Sequence, residues 1–192
     1  MTEDEAKIVA KLAARHVWGS RGHLGLIMRH GRLFTPGTDV GGGAYPMVPA
    51  YAGKNAYQRA MDRGLPYAEG YARVRGGIIT HSAWCLDGET VVDPGWGEPG
   101  NAYFGVALRP GYVRRVHEAR RLDDGGDGFM GVFIPPLERN PPLDPGTDIA
   151  LDRGRDIPSR IRDWALTADA PPAAGDPVAP PWVLDELLSF PG

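Results

Sequence analysis

A chain of 192 residues with 42% hydrophobic and 23% charged side chains is long enough for one domain with a hydrophobic core. Its net charge of −3 provides no surplus of cations to neutralise phosphates, which argues against nucleic acid or an anionic membrane as the main partner. No apolar run approaches the roughly 20 residues of a membrane-spanning helix, and the acidic start is unlike a secretion signal. We therefore predict a soluble, cytoplasmic protein, and the lone Cys85 fits a reducing compartment.

The N-terminal segment is predicted to be a helix followed by a short strand and a long loop. Apolar residues recur at helical spacing over residues 3–18, and Thr2 and Glu5 form a capping box. Residues 24–29 are predicted to form a short strand. Residues 31–49 contain many glycines and prolines without sustained periodicity, which is typical of a loop.

The centre of the chain is predicted to hold a helix packed on an antiparallel sheet. The helix covers residues 54–63 and ends at Gly64. Alternating patterns between turn residues then predict strands at residues 67–74, 78–86, 89–93, 103–108 and 129–134. A further helix is predicted over residues 110–121, starting at a proline. These elements predict an α+β fold with an N-terminal helix and a central helix on the sheet.

The C-terminal segment is proline-rich. From Pro135 onwards the chain contains PPLERNPPLDPG and, later, ADAPPAAGDPVAPP. Two short helices, predicted over residues 159–166 and 182–190, carry tryptophans and leucines that can dock on the body of the protein. We therefore predict a single globular domain over residues 1–135 and a tail over residues 136–192 that wraps the domain or is partly disordered.

A histidine and a carboxylate lie on neighbouring strands of the predicted sheet. His81 is on one strand, and Asp93 directly follows the next, after a tight turn at Asp87 and Gly88. One edge of a sheet can in this way hold an imidazole beside a carboxylate, the arrangement that orients a general base. Both are candidate catalytic residues. The alternatives are ordinary turn chemistry for Asp93 and a structural hydrogen bond for His81.

The residues around this pair resemble a known superfamily. The stretch HSAWCLDGETVVDPGW is similar to the His-Ala-Trp and Asp-Pro-Trp pattern of transglutaminase-like domains, in which the His and the Asp are catalytic. With NAYQRAM, YAEGYA and AYFGV, it resembles a group of actinobacterial and phage proteins over residues 55–106. The resemblance implies a papain/transglutaminase-like fold and chemistry on acyl or amide bonds of a peptide or protein. No pattern in the sequence indicates a cofactor.

Two positions depart from the pattern of that superfamily. Ala52 occupies the place of the nucleophilic cysteine before the helix, and Ser82 occupies that of the histidine, with His81 one residue earlier. Alternate residues of a strand face opposite sides, so this step can turn His81 away from the site unless a bulge restores its direction. Cys85 lies roughly 13 Å from His81 along an extended strand and is predicted to be a buried small hydrophobe. Asp93 is the position that transfers directly.

The residues expected to line a substrate cleft are Asn55, Glu69, Ser82, Trp84 and Trp96. Glu69 lies in the middle of a predicted strand, where it can position substrate or tune His81, or instead form the polar side of a half-buried sheet. The tryptophans can form the wall of a groove or belong to the core, and Ser82 is a structural serine or a hydroxyl nucleophile. No spacing of histidines and carboxylates indicates a metal site.

Three functional hypotheses follow from the sequence. The first is a degenerate transglutaminase/papain-like domain that either acts on acyl or amide bonds, as an acyltransferase or hydrolase, or retains only the cleft. The second is a non-catalytic module that binds a peptide or a partner protein. The third is a phage-type accessory protein whose proline-rich tail mediates assembly. Whether the chain is an enzyme stays open at this level, and so does its oligomeric state.

Overall fold

The structure is a computed structural model that describes residues 1–17, 22–38, 51–95, 98–124, 131–133, 140–168 and 177–191. Within these ranges the chain forms seven α-helices and one antiparallel sheet of five strands, the α+β class that the sequence predicts. The helices are α1 (Glu3–Val17), α2 (His23–His30), α3 (Ala52–Arg63), α4 (Pro110–Asp124), α5 (Pro145–Asp148), α6 (Ser159–Thr167) and α7 (Pro181–Ser189). The strands are β1 (Arg32–Phe34), β2 (Tyr67–Arg73), β3 (Ile79–Asp87), β4 (Thr90–Val92) and β5 (Ala102–Leu108), in the spatial order β1-β5-β2-β3-β4.

The register of β2 against its neighbours decides which side chains share a face of the sheet. Tyr71 of β2 pairs with His81 of β3 on one side and with Phe104 of β5 on the other. Because side chains alternate along a strand, Glu69 and Tyr71 point to the same face as His81. Ser82, the next residue of β3, points to the opposite face.

The two faces of the sheet carry separate apolar clusters. The larger cluster lies on the face of Tyr71 and Cys85, here called the helical face, which is covered by α1, α2 and α3. The smaller cluster includes Phe34, Trp84 and Tyr103 and lies on the opposite face, here called the second face. The sheet is therefore buried on both sides near its centre, so that a polar side chain there must find its partners within the protein.

The prediction of a strand at residues 24–29 is wrong, because this segment lies within helix α2. Leu24, Ile27 and Met28 are the buried residues of α2, and their spacing is that of one face of a helix. Over such a short segment, apolar residues in near alternation do not distinguish a strand from a helix.

Two further predictions differ from the structure in part. The predicted loop over residues 31–49 contains β1, in which Leu33 pairs with Phe104 of β5, and its part from residue 39 onwards lies outside the described residues. The strand predicted at residues 129–134 is not formed at residues 131–133, and its other residues lie outside the described part of the chain. The remaining predicted helices and strands are confirmed to within a few residues.

The helices of the proline-rich tail dock on the N-terminal helix. Both α6 and α7 pack against α1. The N-terminal ammonium of Met1 donates a hydrogen bond to the backbone oxygen of Phe190, at 3.0 Å. None of the helices described is both long and apolar enough to cross a membrane.

Candidate functional site

Five polar and aromatic side chains meet on the helical face and are here called the Glu69 cluster. They are Tyr67, Glu69 and Tyr71 of β2, His81 of β3 and His23 at the start of α2. The three residues of β2 lie at alternate positions and so share one face, and the register places His81 opposite Tyr71. The cluster is therefore built on two paired strands and completed by a helix.

Glu69 is the buried centre of the cluster. It has no exposed surface, and it accepts hydrogen bonds from the hydroxyl of Tyr67 at 2.6 Å and from the backbone N–H groups of Val132 and Phe133 at 2.5 and 2.9 Å. Burial alone would raise the pKa of Glu69, but the contact with His81 and these hydrogen bonds outweigh it and lower the pKa below its ordinary value. Glu69 is therefore a buried carboxylate that is ionised at neutral pH.

A glycine makes the two backbone hydrogen bonds to Glu69 possible. Gly131 has a φ angle of 137°, and a Cβ atom at this position would lie 2.8 Å from Oε1 of Glu69. Only a residue without a side chain lets the backbone approach the carboxylate so closely. The segment over residues 131–133 thus covers Glu69 and supplies two of its donors.

His81 is the member of the cluster that joins the buried carboxylate to the surface. Its Nε2 lies 3.1 Å from Oε1 of Glu69, and the side chain retains 22% exposure. The contact is close, but it falls outside hydrogen-bond alignment, and Nε2 itself is buried. Since Nε2 is buried, the exposed part belongs to the rest of the side chain. The Nε2 edge of the imidazole therefore faces Glu69, while the side chain as a whole stays partly exposed.

His23 and Tyr71 form a second polar pair beside His81. Nε2 of His23 lies 3.1 Å from the hydroxyl of Tyr71, and the His23 ring is edge-on to the ring of His81 at 5.5 Å and stacked on Phe133 at 5.8 Å. Burial, followed by the neighbouring His81, lowers the pKa of His23, while Glu69 opposes this shift. His23 is therefore neutral at neutral pH, and it shares a hydrogen bond with the hydroxyl of Tyr71.

The structure does not bring His81 and Asp93 into contact. Asp93 is buried and accepts hydrogen bonds from the hydroxyl of Tyr103 and from the backbone N–H of Gly95, both at 2.9 Å. Tyr103 belongs to the second face, whereas His81 belongs to the helical face. The expected pair of His81 and Asp93 is thus not formed. Ser82, the next residue of β3, faces the same side of the sheet as Tyr103, and His81 faces the opposite side.

Asp93 is held as a structural carboxyl group. Burial raises its pKa to about 6, although the hydrogen bonds from Gly95 and Tyr103 oppose the rise. The group therefore titrates close to neutrality without contact with an imidazole. Its two donors fix the turn that follows β4.

The start of α3 lies beside this turn but carries no cysteine. Ala52 is the first residue of α3, and it packs so closely on Gly95 that a Cβ at Gly95 would be 2.8 Å from the Cβ of Ala52. Asn55, predicted to bind substrate, is buried and donates a hydrogen bond from Nδ2 to the backbone oxygen of Pro94 at 3.1 Å. This hydrogen bond connects α3 to the turn that follows β4.

Cys85 is buried in the core, as the sequence predicts. Its Sγ donates a hydrogen bond to the backbone oxygen of Ala56 at 3.1 Å. Burial raises the pKa of the thiol to about 12, so the reactive thiolate is absent at neutral pH. The only cysteine of the chain is therefore chemically inert in this environment.

The other residues expected to line a cleft are not gathered with His81. Ser82 and Trp84 are buried on the second face, where the Trp84 ring packs edge-on against Phe34 and Tyr103 at 5.8 and 5.0 Å. Trp84 thus belongs to the core, which was the alternative interpretation of its sequence pattern. Trp96 lies outside the described residues.

The sequence analysis names a contact between Glu69 and His81 as one of several alternatives, and the structure places the two side chains together. The hairpin of β2 and β3 favours this contact, because its turn is centred near Gly76 and pairs odd-numbered residues of one strand with odd-numbered residues of the other. Residues 69 and 81 must then share a face. The contribution of His23 and of the backbone at residues 131–133 had no such signal, since both come from distant segments.

The chain matches no family model, no curated protein and no solved structure with which it was compared. Among the described residues, no group of three His, Cys, Asp or Glu side chains is arranged to hold a metal ion. The chemistry of the site must therefore be argued from its own geometry.

Proposed function

We propose that this chain hydrolyses or transfers acyl groups by general acid–base catalysis, with His81 as the base and Glu69 as the carboxylate that orients it. One observation carries the proposal: a partly exposed imidazole lies 3.1 Å from a carboxylate that has no exposed surface. A carboxylate in this position holds the tautomer and direction of a catalytic histidine and stabilises the imidazolium that forms during reaction. Glu69 thus takes the role that the sequence suggested for Asp93.

The free-energy cost of burying the charge of Glu69 supports a functional role for Glu69 and His81. Removing a carboxylate from water costs several kcal/mol even after the protein relaxes, and good partners only offset this cost. Two backbone N–H groups and the hydroxyl of Tyr67 stabilise the charge of Glu69. The carboxylate is nevertheless also in contact with Nε2 of His81. A carboxylate that served only to anchor residues 131–133 would not need a partly exposed histidine beside it.

The reaction follows from the direction of the imidazole. With Glu69 ionised, Nε2 of His81 carries the ring proton and Nδ1 is the acceptor. Nδ1 takes a proton from a water molecule while the water oxygen attacks the carbonyl carbon of an ester or amide. The tetrahedral adduct then collapses, the carbon–oxygen or carbon–nitrogen bond breaks, and the proton passes from Nδ1 to the leaving group. A hydroxyl or amine in place of water would make the same step an acyl transfer.

This mechanism requires no nucleophile from the protein. Ala52 replaces the cysteine of the resembling superfamily, and the thiol of Cys85 is buried and protonated. The hydroxyl of Tyr71 supplies the remaining function, because burial raises its pKa and keeps it protonated as a hydrogen-bond donor. Such a donor beside the base can stabilise the oxyanion of the adduct.

The test is hydrolysis of a panel of activated acyl esters and peptide amides by the wild type, His81→Gln, Glu69→Gln and the control Cys85→Ala. We expect His81→Gln to lower kcat/KM by at least about a hundredfold, the usual contribution of a general base. Cys85→Ala should retain activity once its fold is verified by circular dichroism. Equal rates in the wild type and His81→Gln would exclude the proposed mechanism.

A second candidate is a non-catalytic module that binds a peptide or protein, and a separate observation favours it. The superfamily's three catalytic positions correspond here to Ala52, Ser82 and Asp93, which are all buried and lack the cysteine and the histidine. On this hypothesis the wild type hydrolyses none of the panel, and a peptide selected from a random library shifts the NMR signals of Tyr71 and His81. Selected peptides that leave those signals unchanged would contradict it.

A further inference from the structure

A basic groove of about 370 Å³ lies beside the Glu69 cluster. Its lining consists of Lys7, Lys11, Arg15, Arg73, Gly77 and Ile79, with four cations and no carboxylate among these described residues. The whole chain has a net charge of −3, so this concentration of positive charge is local and opposite in sign to the average. We call it the basic groove.

The positions of the cations follow from local structure. Lys7, Lys11 and Arg15 are spaced by four residues along α1 and therefore project from one face of that helix. Arg73 comes from the end of β2, and its guanidinium covers Gly77, where a Cβ would lie 3.0 Å from Nη2. A helix and a strand thus point their cations into the same space.

The charges of the groove are only partly compensated. Arg73 pairs with Asp4 at 3.2 Å, and Lys7 pairs with Glu3, both carboxylates lying in the first turn of α1. Lys11 has a contact of 3.5 Å with the backbone oxygen of Pro177.

Within the part of the chain that the structure describes, Arg15 is the cation of the groove without a partner. It is half-buried, and no side chain or backbone oxygen among the described residues accepts a hydrogen bond from it. A guanidinium that is partly withdrawn from water, with no acceptor among the described residues, is well suited to an anionic ligand.

The groove lies next to the Glu69 cluster along the paired strands β2 and β3. Arg73 pairs with Ile79, and Tyr71 pairs with His81, so that these are successive pairs on the same face of β2 and β3. Successive same-face positions are about 7 Å apart along a strand. Burial raises the pKa of Tyr71, and the positive charge of Arg15 opposes this rise.

We propose that the basic groove binds a carboxylate or phosphate group of a small soluble substrate whose acyl carbon lies at His81. The assignment of the anion to a substrate rests on the proposed function, whereas anion binding by the groove stands on its own geometry. Arg15 and Lys11 are the residues that hold the anion.

The test is a calorimetric titration of the full chain at low ionic strength with inorganic phosphate and, separately, with succinate. The variants are Arg15→Gln, Lys11→Gln and Arg15→Lys, with Arg114→Gln as the control because Arg114 is an exposed cation on α4. We expect Arg15→Gln to weaken binding of at least one probe by about tenfold or more, as the loss of a charge-assisted hydrogen bond would. Arg15→Lys should restore part of the affinity, and Arg114→Gln should leave it unchanged.

Three outcomes would overturn the proposal. The first is the lack of saturable binding of either anion, and the second is an equal loss of affinity in Arg15→Gln and Arg114→Gln. The third comes from a parallel titration with vesicles that contain phosphatidic acid, if the chain binds these vesicles but neither soluble anion. Because the titration needs no turnover, its failure is distinct from a failure of the proposed catalysis. Phosphate binding without hydrolysis would support the basic groove as an anion site and contradict the proposed catalysis. Hydrolysis without anion binding would support the catalysis and contradict the anion site.

Discussion

Nε2 of His81 lies 3.1 Å from a carboxylate oxygen of Glu69, a side chain with no exposed surface. The same carboxylate also binds the backbone of Val132 and Phe133. The position of the imidazole and the position of a distant segment thus depend on one buried charge. A change at Glu69 should therefore affect both activity and stability.

Glu69→Gln should lower the free energy of unfolding by about 3 kcal/mol, because it places an amide NH2 group among groups that all donate hydrogen bonds. The lowered pKa of Glu69 means that its carboxylate stabilises the fold above its ordinary pKa of 4.5 and that this stabilisation is lost as the pH falls. The deficit of the variant should therefore shrink in acid. Urea unfolding against pH measures it, with exposed Glu118→Gln as the control. A change below about 0.5 kcal/mol would show that the charge is not needed.

Asp93 should make the protein less stable as the pH rises. Its folded pKa, about 6, lies above the ordinary 3.8, so the neutral form stabilises the fold at low pH and this stabilisation is lost as the pH rises through about 6. A shift of about two pKa units corresponds to about 3 kcal/mol. Asp93→Asn should gain this amount relative to the wild type between pH 4 and pH 7. Taking the difference between the two proteins cancels the other titrating groups, and a difference independent of pH would contradict the assignment.

Tyr71→Phe should lower kcat by about ten- to a hundredfold with little change in KM, because the hydroxyl acts on the oxyanion formed during reaction. Tyr57→Phe is the matched control, since Tyr57 stacks on His117 outside the Glu69 cluster and keeps this contact without its hydroxyl. Steady-state kinetics on the most reactive ester of the panel would measure both. Equal effects of the two changes would remove Tyr71 from the mechanism.

Ala52→Cys should not create a cysteine hydrolase, although position 52 is the first residue of α3 and the start of a helix favours a thiolate. The required histidine is missing, because His81 is held against Glu69 and the buried Ser82 occupies the superfamily's position. Burst kinetics with an activated ester and inhibition by iodoacetamide provide the measurement. An acyl-enzyme burst in Ala52→Cys alone would show that a histidine does reach this helix start.

Elements with a strong local pattern could be predicted from the sequence, and elements that depend on distant partners could not. The strand β2 and the helix α3 carry clear periodicity and standard stop signals, so both were found. The strand β1 has three residues and exists because Leu33 pairs with Phe104, which lies 71 positions further along the chain. A pattern of three residues does not predict a pairing with so distant a strand.

The candidate site shows the same division. His81 and Glu69 were selected from the sequence because a histidine and an acid stand out on half-buried strands. Asp93 was expected to be the main partner of His81, because a short turn brings it to the neighbouring strand, and Glu69 was named as an alternative. The face on which a side chain lies is decided by a single step along the strand, and His81 lies one step before the position that the histidine has in the resembling domains.

The two backbone N–H groups that bind Glu69 make Val132 and Phe133 built-in reporters of the site. Their amide resonances are sensitive to the charge of the carboxylate they contact, and their deuterium exchange is slow only while that contact persists. A ligand that draws His81 away from Glu69 would change both signals, although neither residue touches the ligand. Engagement of the site can therefore be followed by isotope labelling alone, before any substrate has been identified.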